Sequence, residues 1–467
     1  MSEPLWSAAA AAAATGGEAR GSWAASGVCI DSRAVEPGDL FIALKAGRDG
    51  HAFVRGALEA GAAAALVSDP SAADDGAPLL VVPDTMVAME QLGQAARRRN
   101  VIARRVAITG SVGKTTVKEM TAAALEASGT THRSVKSYNN HWGVPLTLAR
   151  MPADARFGVF EIGMNHGGEI ARLSPQVRPH VAAITMVAAV HIENFADETG
   201  IADAKGEIFL GLGPGGIAVI PNENPHRERL LARARMVDGV EIVRFGFEAG
   251  ADARILSITE QAGGARLVAA DILGHPVSWT ITEPGTHWVH NGLAALTLAQ
   301  LAGGDLQAAA AVLSRFGAID GRGATRPVTL AGGGFFTLVD EAYNANPTSM
   351  AEALGTLGRR AGMRRIAVLG DMLELGVNEA AFHAALAGDV AASGVDLVFC
   401  AGPRMEHLWR ALPESVRGAH AQTAEELAPV VAGAVQAGDV VMVKGSNGAR
   451  TWKVVQALQA LEARAAG

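Results

Sequence analysis

Short apolar runs alternate along most of the chain with longer stretches whose apolar positions recur at helical spacing. That rhythm predicts strands alternating with helices, and so mostly parallel sheets covered by helices on both faces. It is strongest from residue 101 onward, with strands at 106–108, 158–162, 181–187 and 217–220 and helices at 116–127, 168–173 and 202–210. It resumes after 321, with strands at 335–340, 366–369, 396–400 and 439–443 and helices at 347–361, 378–393, 424–433 and 449–463. Between these, 240–282 changes to strict alternation, which predicts an antiparallel insertion ahead of a helix at 289–302. The first 83 residues are denser in turns, with strands at 28–30, 39–44, 62–67 and 79–82 and a helix at 52–60. An amphipathic helix over 87–100 connects them to the rest. The expected fold is therefore α/β in three units. These are a small mixed α/β unit (1–83), a central doubly wound, mostly parallel sheet (84–320) and a Rossmann-like α/β unit (321–467).

The central unit opens with the strongest chemical signal, Thr109-Gly110-Ser111-Val112-Gly113-Lys114-Thr115-Thr116, which follows an apolar strand and precedes a helix. Glycines let backbone close around phosphate oxygens, and the first helical N–H groups and the helix dipole favour an anion. Lys114 can reach terminal phosphates and the Thr115 hydroxyl can ligate Mg²⁺. The full pattern has a glycine where this chain has Ile108, so the loop is a shortened phosphate loop. In a parallel sheet, ligands bind beyond the carboxyl ends of the strands. Glu161, His191 and Glu193 fall at such ends, and an acid beside a phosphate loop holds Mg²⁺ directly or through water. Lys205 follows on a helix, where a bare ammonium beside Mg²⁺ either points away or has its charge altered. By contrast, Gly211-Leu212-Gly213-Pro214-Gly215-Gly216 fits the dinucleotide pattern only in the wrong order, after a helix and before a strand.

Composition narrows the setting. Hydrophobic residues are 49% and charged residues 19% of 467, as in ordinary globular proteins. A net charge of −7 argues against a general nucleic-acid binder. The two cysteines, Cys29 and Cys400, are far apart and suit a reducing compartment. The alanine run at 8–14 lacks a basic leader and predicts a short helix, and no apolar run approaches a membrane span. The expected location is the cytoplasm.

Taken in order, these stretches resemble the Mur ligases, ATP-dependent amide-forming enzymes of peptidoglycan precursor synthesis. The resemblance covers nearly the whole chain. Beyond the phosphate loop it rests on Asn139-Asn140-His141-Trp142-Gly143-Val144-Pro145, Glu161-Ile162-Gly163-Met164-Asn165, His191-Ile192-Glu193 and Ala204-Lys205-Gly206-Glu207. Asp340-Glu341-Ala342-Tyr343-Asn344-Ala345-Asn346-Pro347, 370–376 and Lys444-Gly445-Ser446 look like the branch that adds D-alanyl-D-alanine to UDP-N-acetylmuramoyl-tripeptide. The branch that adds the third residue carries Asp-Asn-Pro-Arg, which is absent here. A folate-type relative lacks the UDP-type first unit, and no Asn-Lys-x-Asp motif suggests a GTPase.

The resemblance implies roles. Gly110, Ser111, Val112, Gly113, Lys114, Thr115 and Thr116 would bind ATP, with Asn291 on adenine and Arg322 and Asp340 on the nucleotide from the third unit. Thr115, Glu161, His191 and a carbamylated Lys205 would hold two Mg²⁺ ions. Lys114, His191 and Lys205 would form the catalytic set. Ser32, Arg33, Asp49, Gly50 and His51 would hold the UDP-sugar, and Tyr343, Asn344 and Asn346 would meet substrate. The family often reads His-Asn-x-x-Asn before the adenine helix, whereas this chain has Trp288 at the first Asn. The enzyme is expected to act as a monomer, with hinges near 83–100 and 320–325 closing the units on the substrates.

Overall fold

The computed structural model describes residues 4–45, 47–189 and 192–465. Among these, three large sheets follow one another along the chain. The first has five strands. Gly27–Cys29, Asp39–Ile42, Ala64–Val67 and Leu79–Val81 are parallel, and Glu18–Arg20 is added antiparallel at one edge. The loops after Cys29, Ile42 and Val67 therefore share one carboxyl edge, and they carry the Asp31–Arg33, Asp49–His51 and Ser68–Asp69 segments.

The central sheet has nine strands. Arg104–Thr109 lies between Phe157–Glu161 and Val181–Ile184, parallel to both, so the phosphate loop leaves an interior strand, third from one edge of the sheet. Outward from Val181–Ile184 come Ile217–Pro221, Glu241–Gly246, Ala253–Glu260, Arg266–Ile272 and His275–Ile281. The expected antiparallel insertion over 240–282 is thus an extension of the same sheet. Glu241–Gly246 and the start of Ala253–Glu260 pair in parallel, and only the last two pairings are antiparallel. Cores lie on both faces. One packs the phosphate-loop helix Lys114–Glu126 and the helix Thr286–Leu301 against the sheet, and the other packs Glu169–Val177, Glu198–Gly206 and Arg227–Arg235. The glycine-rich 211–216 stretch is the turn into Ile217–Pro221, as its position after a helix predicts.

The third sheet has six strands. Phe335–Glu341, Val440–Lys444, Arg365–Gly370, Leu397–Ala401 and Arg417–Ala421 are parallel, and Ala324–Thr329 is antiparallel at the edge.

The connecting helix, Thr85–Arg99, lies in the expected hinge region and is packed along one face. Its apolar face buries Ala88, Met89, Leu92 and Ala96 in one core with Trp6, Val28, Leu40, Leu66, Leu80, Leu146 and Ala149. Each large aliphatic buried there contributes about 1.5–3 kcal/mol. Trp6 Nε1 donates to the Ala149 carbonyl at 2.9 Å and Arg150 Nε donates to the Val28 carbonyl at 2.6 Å, so the first and central units share both core and hydrogen bonds. Between the central and third units the connection is a loop after Leu306–Leu313, ending in the turn around Ile319 and Arg322.

Candidate active site

The phosphate loop turns where glycine is required. Gly113 has φ +84°, and a Cβ there would lie 2.8 Å from Asn291 Oδ1. The helix Lys114–Glu126 starts directly after it, with no side-chain cap on its first N–H groups. Those donors face a cavity of about 550 Å³ lined by Ser111, Val112, Gly113, Lys114, Thr115 and Thr116. Lys114 curls back so that Nζ donates to the Gly110 carbonyl at 2.6 Å. Burial lowers its ammonium to about 8, against the Glu161 carboxylate, which raises it, and with the Arg322 cation lowering it further. Capture by phosphate oxygens restores the partners that burial removes.

Glu161 ends its strand fully buried. Its carboxylate accepts from Thr115 Oγ1 at 2.8 Å and from Asn139 Nδ2 at 2.7 Å. A carboxylate and a hydroxyl oxygen in contact at the head of a phosphate-binding helix are hard donors of the kind Mg²⁺ takes beside phosphates. The residues present therefore fit one such ion. Among the described residues no cluster of three or more His, Cys, Asp or Glu side chains could hold a metal. His191, expected at a second ion, lies outside the described residues. Lys205 is buried and is not among the residues lining the cavity, and burial, then the Lys114 cation, pushes its ammonium well below the usual lysine value.

Two further walls complete the cavity. Asn291 stands beside Phe247 and His290, whose rings stack with centroids 6.1 Å apart and planes 17° apart. Opposite, the third unit supplies Arg322, Glu341, Tyr343, Asn344, Asn346 and Lys444. Arg322 lies 4.3 Å over the Tyr343 ring and donates to Ser137 Oγ at 3.3 Å. Lys444 Nζ bonds Glu341 at 3.1 Å and the Asn344 carbonyl at 3.0 Å. Asn346 caps the helix Pro347–Gly358 through Oδ1, while its buried Nδ2 has no partner.

The expected residues thus divide. Ser111 to Thr116, Glu161, Asn291, Arg322, Tyr343, Asn344 and Asn346 meet at one cavity, whose lining does not include Gly110. Asp340 does not line it. Its carboxylate accepts from the Gly321 and Ala342 N–H groups, each at 3.0 Å, and fastens the turn that carries Arg322. Ser32, Arg33, Asp49, Gly50 and His51 also lie outside it, on the carboxyl edge of the first sheet. There Arg33 forks onto Asp31 at 2.9 and 2.8 Å. His51 Nδ1 lies 2.6 Å from Asp49, and its Nε2 accepts from the Ser68 N–H at 2.9 Å, so the ring ties two loops together. A Cβ on Gly50 would sit 2.7 Å from the Leu44 carbonyl oxygen. The Arg33 guanidinium, and more weakly the Lys136 charge, hold the Asp31 carboxyl down at about 2. Residues not singled out as site members include Ser137, Asn139, Glu341, Phe247, His290 and Lys444. Asn139, Glu341 and Lys444 stand in motif stretches and His290 directly precedes Asn291, whereas Ser137 and Phe247 have no local signal.

Three family models match in succession: "Mur ligase family, catalytic domain" over 24–108, "Mur ligase middle domain" over 108–299 and "Mur ligase, glutamate ligase domain" over 328–447. The chain is 37% identical over 438 residues to the UDP-N-acetylmuramoyl-tripeptide–D-alanyl-D-alanine ligase of Escherichia coli K12, covering 92% of this chain and 93% of that protein. It is 32% identical to the Bacillus subtilis protein of the same name, with 92% and 93% covered. The crystal structure of MurF from Acinetobacter baumannii superposes with a TM-score of 0.82 at 29% identity, covering 97% of this chain and 99% of that one.

Proposed function

The chain belongs to the Mur ligase family, and we propose that it joins D-alanyl-D-alanine to UDP-N-acetylmuramoyl-tripeptide in peptidoglycan precursor synthesis, with ATP converted to ADP and phosphate. The observation that carries this reading is the contact of Thr115 with Glu161 at the head of the phosphate-loop helix, faced by third-unit side chains across one cavity. A carboxylate is a poor electrophile. Its oxygen attacks the γ-phosphorus, the bond to ADP breaks, and an acyl phosphate results. The free amine of D-alanyl-D-alanine then attacks the acyl carbon, loses a proton, and expels phosphate. Lys114 and the helix N–H groups carry the charge of the transferring phosphoryl group. The Asn291, Phe247 and His290 wall offers flat rings and an amide to the adenine. Asn346 Nδ2 offers an unused donor to the incoming dipeptide. Thr115 and Glu161 would hold Mg²⁺, which supplies charge neutralisation between phosphates when bound. Residues 1–83 would hold the UDP-sugar, 84–320 ATP and 321–467 the dipeptide, with the first sheet's loops turned toward the uridine diphosphate.

Lys205 enters as a carbamate. Burial favours the neutral amine, whose nitrogen adds to CO₂ and releases a proton, leaving an anion suited, with His191, to a second Mg²⁺. Protein equilibrated with ¹³C-bicarbonate is expected to show a carbamate ¹³C resonance that Lys205→Ala lacks. The same resonance in both proteins would remove this role.

The reaction is tested by ADP release. Release should require UDP-tripeptide and D-alanyl-D-alanine together, and Lys114→Ala should lose at least a hundredfold in rate while still binding UDP-tripeptide. Release driven by free diaminopimelate or lysine with a UDP-dipeptide would instead assign the third-residue-adding reaction.

A further inference from the structure

The stretch Arg97-Arg98-Arg99-Asn100-Val101-Ile102-Ala103-Arg104-Arg105 joins the linker helix to the central strand and contains no acidic residue. It turns at the surface. Val101 is 86% and Ile102 59% exposed, a large fraction for two adjacent aliphatic side chains. Arg98 and Arg104 are exposed on either side of them, and exposed Arg178 lies close to Arg97 and Arg105. Arg105 holds the Val177 and Arg178 carbonyls at 2.9 and 3.1 Å, so these guanidinium groups gather at the end of the helix Glu169–Val177. Among the described residues, none of Arg97, Arg98, Arg104, Arg105 and Arg178 forms an ion pair with an acid, although the chain as a whole carries −7. After burial, the charges acting on Arg97 and Arg105 are other arginines alone. Asn100 anchors the turn to the neighbouring loop through the Pro152 and Ala155 carbonyls at 2.8 and 2.9 Å, and that loop adds Asp154 and Arg156, whose charges cancel. Arg99 is turned inward over Trp6 and takes no part.

We propose that this turn docks the enzyme on an anionic lipid surface, with Val101 and Ile102 entering the headgroup–acyl boundary and the surrounding arginines meeting lipid phosphates. Val101 and Ile102 stand out from the turn into solvent, and no residue of 97–105 lines the cavity at the phosphate loop. Two aliphatics ringed by guanidinium groups fit an interface that is apolar inside and anionic at its rim. Placement supports the same reading. The turn enters Arg104–Thr109 at its amino end, and the phosphate loop leaves the carboxyl end, roughly 17 Å away along the strand. A docked enzyme therefore keeps its cleft open to solvent.

Flotation of the full chain with vesicles tests this. Binding is expected to vesicles of phosphatidylcholine with phosphatidylglycerol, not to phosphatidylcholine alone, and to be lost near 1 M salt, where the screening length falls to about 3 Å. Arg98→Gln with Arg104→Gln should weaken partition about 25-fold, about fivefold per charge. Val101→Asp with Ile102→Asp should weaken it at least tenfold with the arginines intact. Both variants should keep the parent thermal midpoint and the parent's rate of ADP release without vesicles. Absence of binding to anionic vesicles, or equal binding to neutral ones, would overturn the proposal. So would binding to soluble polyglutamate as tight as to vesicles and indifferent to the aspartate changes, which would indicate an acidic protein partner.

Discussion

Ser137 places one hydroxyl between the phosphate loop and the third unit. Thr115 Oγ1 lies 3.1 Å from it and Arg322 donates to it at 3.3 Å. A hydroxyl donates once and accepts twice, so both contacts coexist. Through Thr115 the chain of contacts runs on to Glu161 and Asn139. The loop that presents Ser137 is held from beneath by Lys118, a fully buried lysine whose Nζ donates to the Ser134 and Lys136 carbonyls and pairs with Glu119 at 2.7 Å. Ser137→Ala removes the bridge and leaves this support intact. Loss of a net 1 kcal/mol or so predicts about a fivefold fall in kcat/KM for ATP. The thermal midpoint should stay within about 2 °C of the parent. Steady-state kinetics at saturating UDP-tripeptide measure the first and calorimetry the second. Unchanged kinetics would mean that the bridge has no part in positioning Thr115.

At the scale of elements, sequence and structure part where pairing partners matter. Chemistry contiguous in the chain was legible. Gly110 to Thr116 form a strand-to-helix turn because glycine, lysine and hydroxyl positions are fixed by local geometry. The alternation over 240–282 named real strands but not their sheet, since period-two patterning records a half-buried face and says nothing of the neighbouring strand. The short edge strand Thr131–Arg133 has no strand signal because it holds no apolar residue and is only half-buried, and Arg417–Ala421 is partly exposed in the same way. The linker helix falls between two units in sequence, yet its buried face packs into a core that both units share. Asp340 and Glu341 show the limit at the site. Adjacent acids in one motif have opposite fates, one holding backbone N–H groups and the other meeting Lys444 from a strand about a hundred residues away. No local pattern carries that information.

At the scale of the whole molecule, the joint between the first two units is also where acid should act. His132 lies on the edge strand of the central sheet, and its Nε2 is 2.7 Å from the Thr147 carbonyl on the helix Gly143–Ala149. That helix contributes Leu146 and Ala149 to the core shared with the first unit. Burial lowers His132 to about 4, opposed by the Thr147 carbonyl, with Arg150 and Arg133 lowering it further. His290 is lowered to about 4 by burial as well, against Glu223. Both groups have folded values below the unfolded value of 6.5. As pH falls from 6.5 toward 4, the unfolded chain takes up protons that the folded chain refuses, so stability declines through this window and levels off below it. The slope approaches about 1.4 kcal/mol per pH unit for each histidine. His132→Gln keeps a donor for Thr147 but cannot be protonated. Its thermal midpoint, measured from pH 7 to pH 5, should therefore decline less steeply than the parent's, whatever its value at pH 7. Parallel declines would show that His132 is protonated as readily in the folded chain as in the unfolded one, and that this joint is not where acid acts.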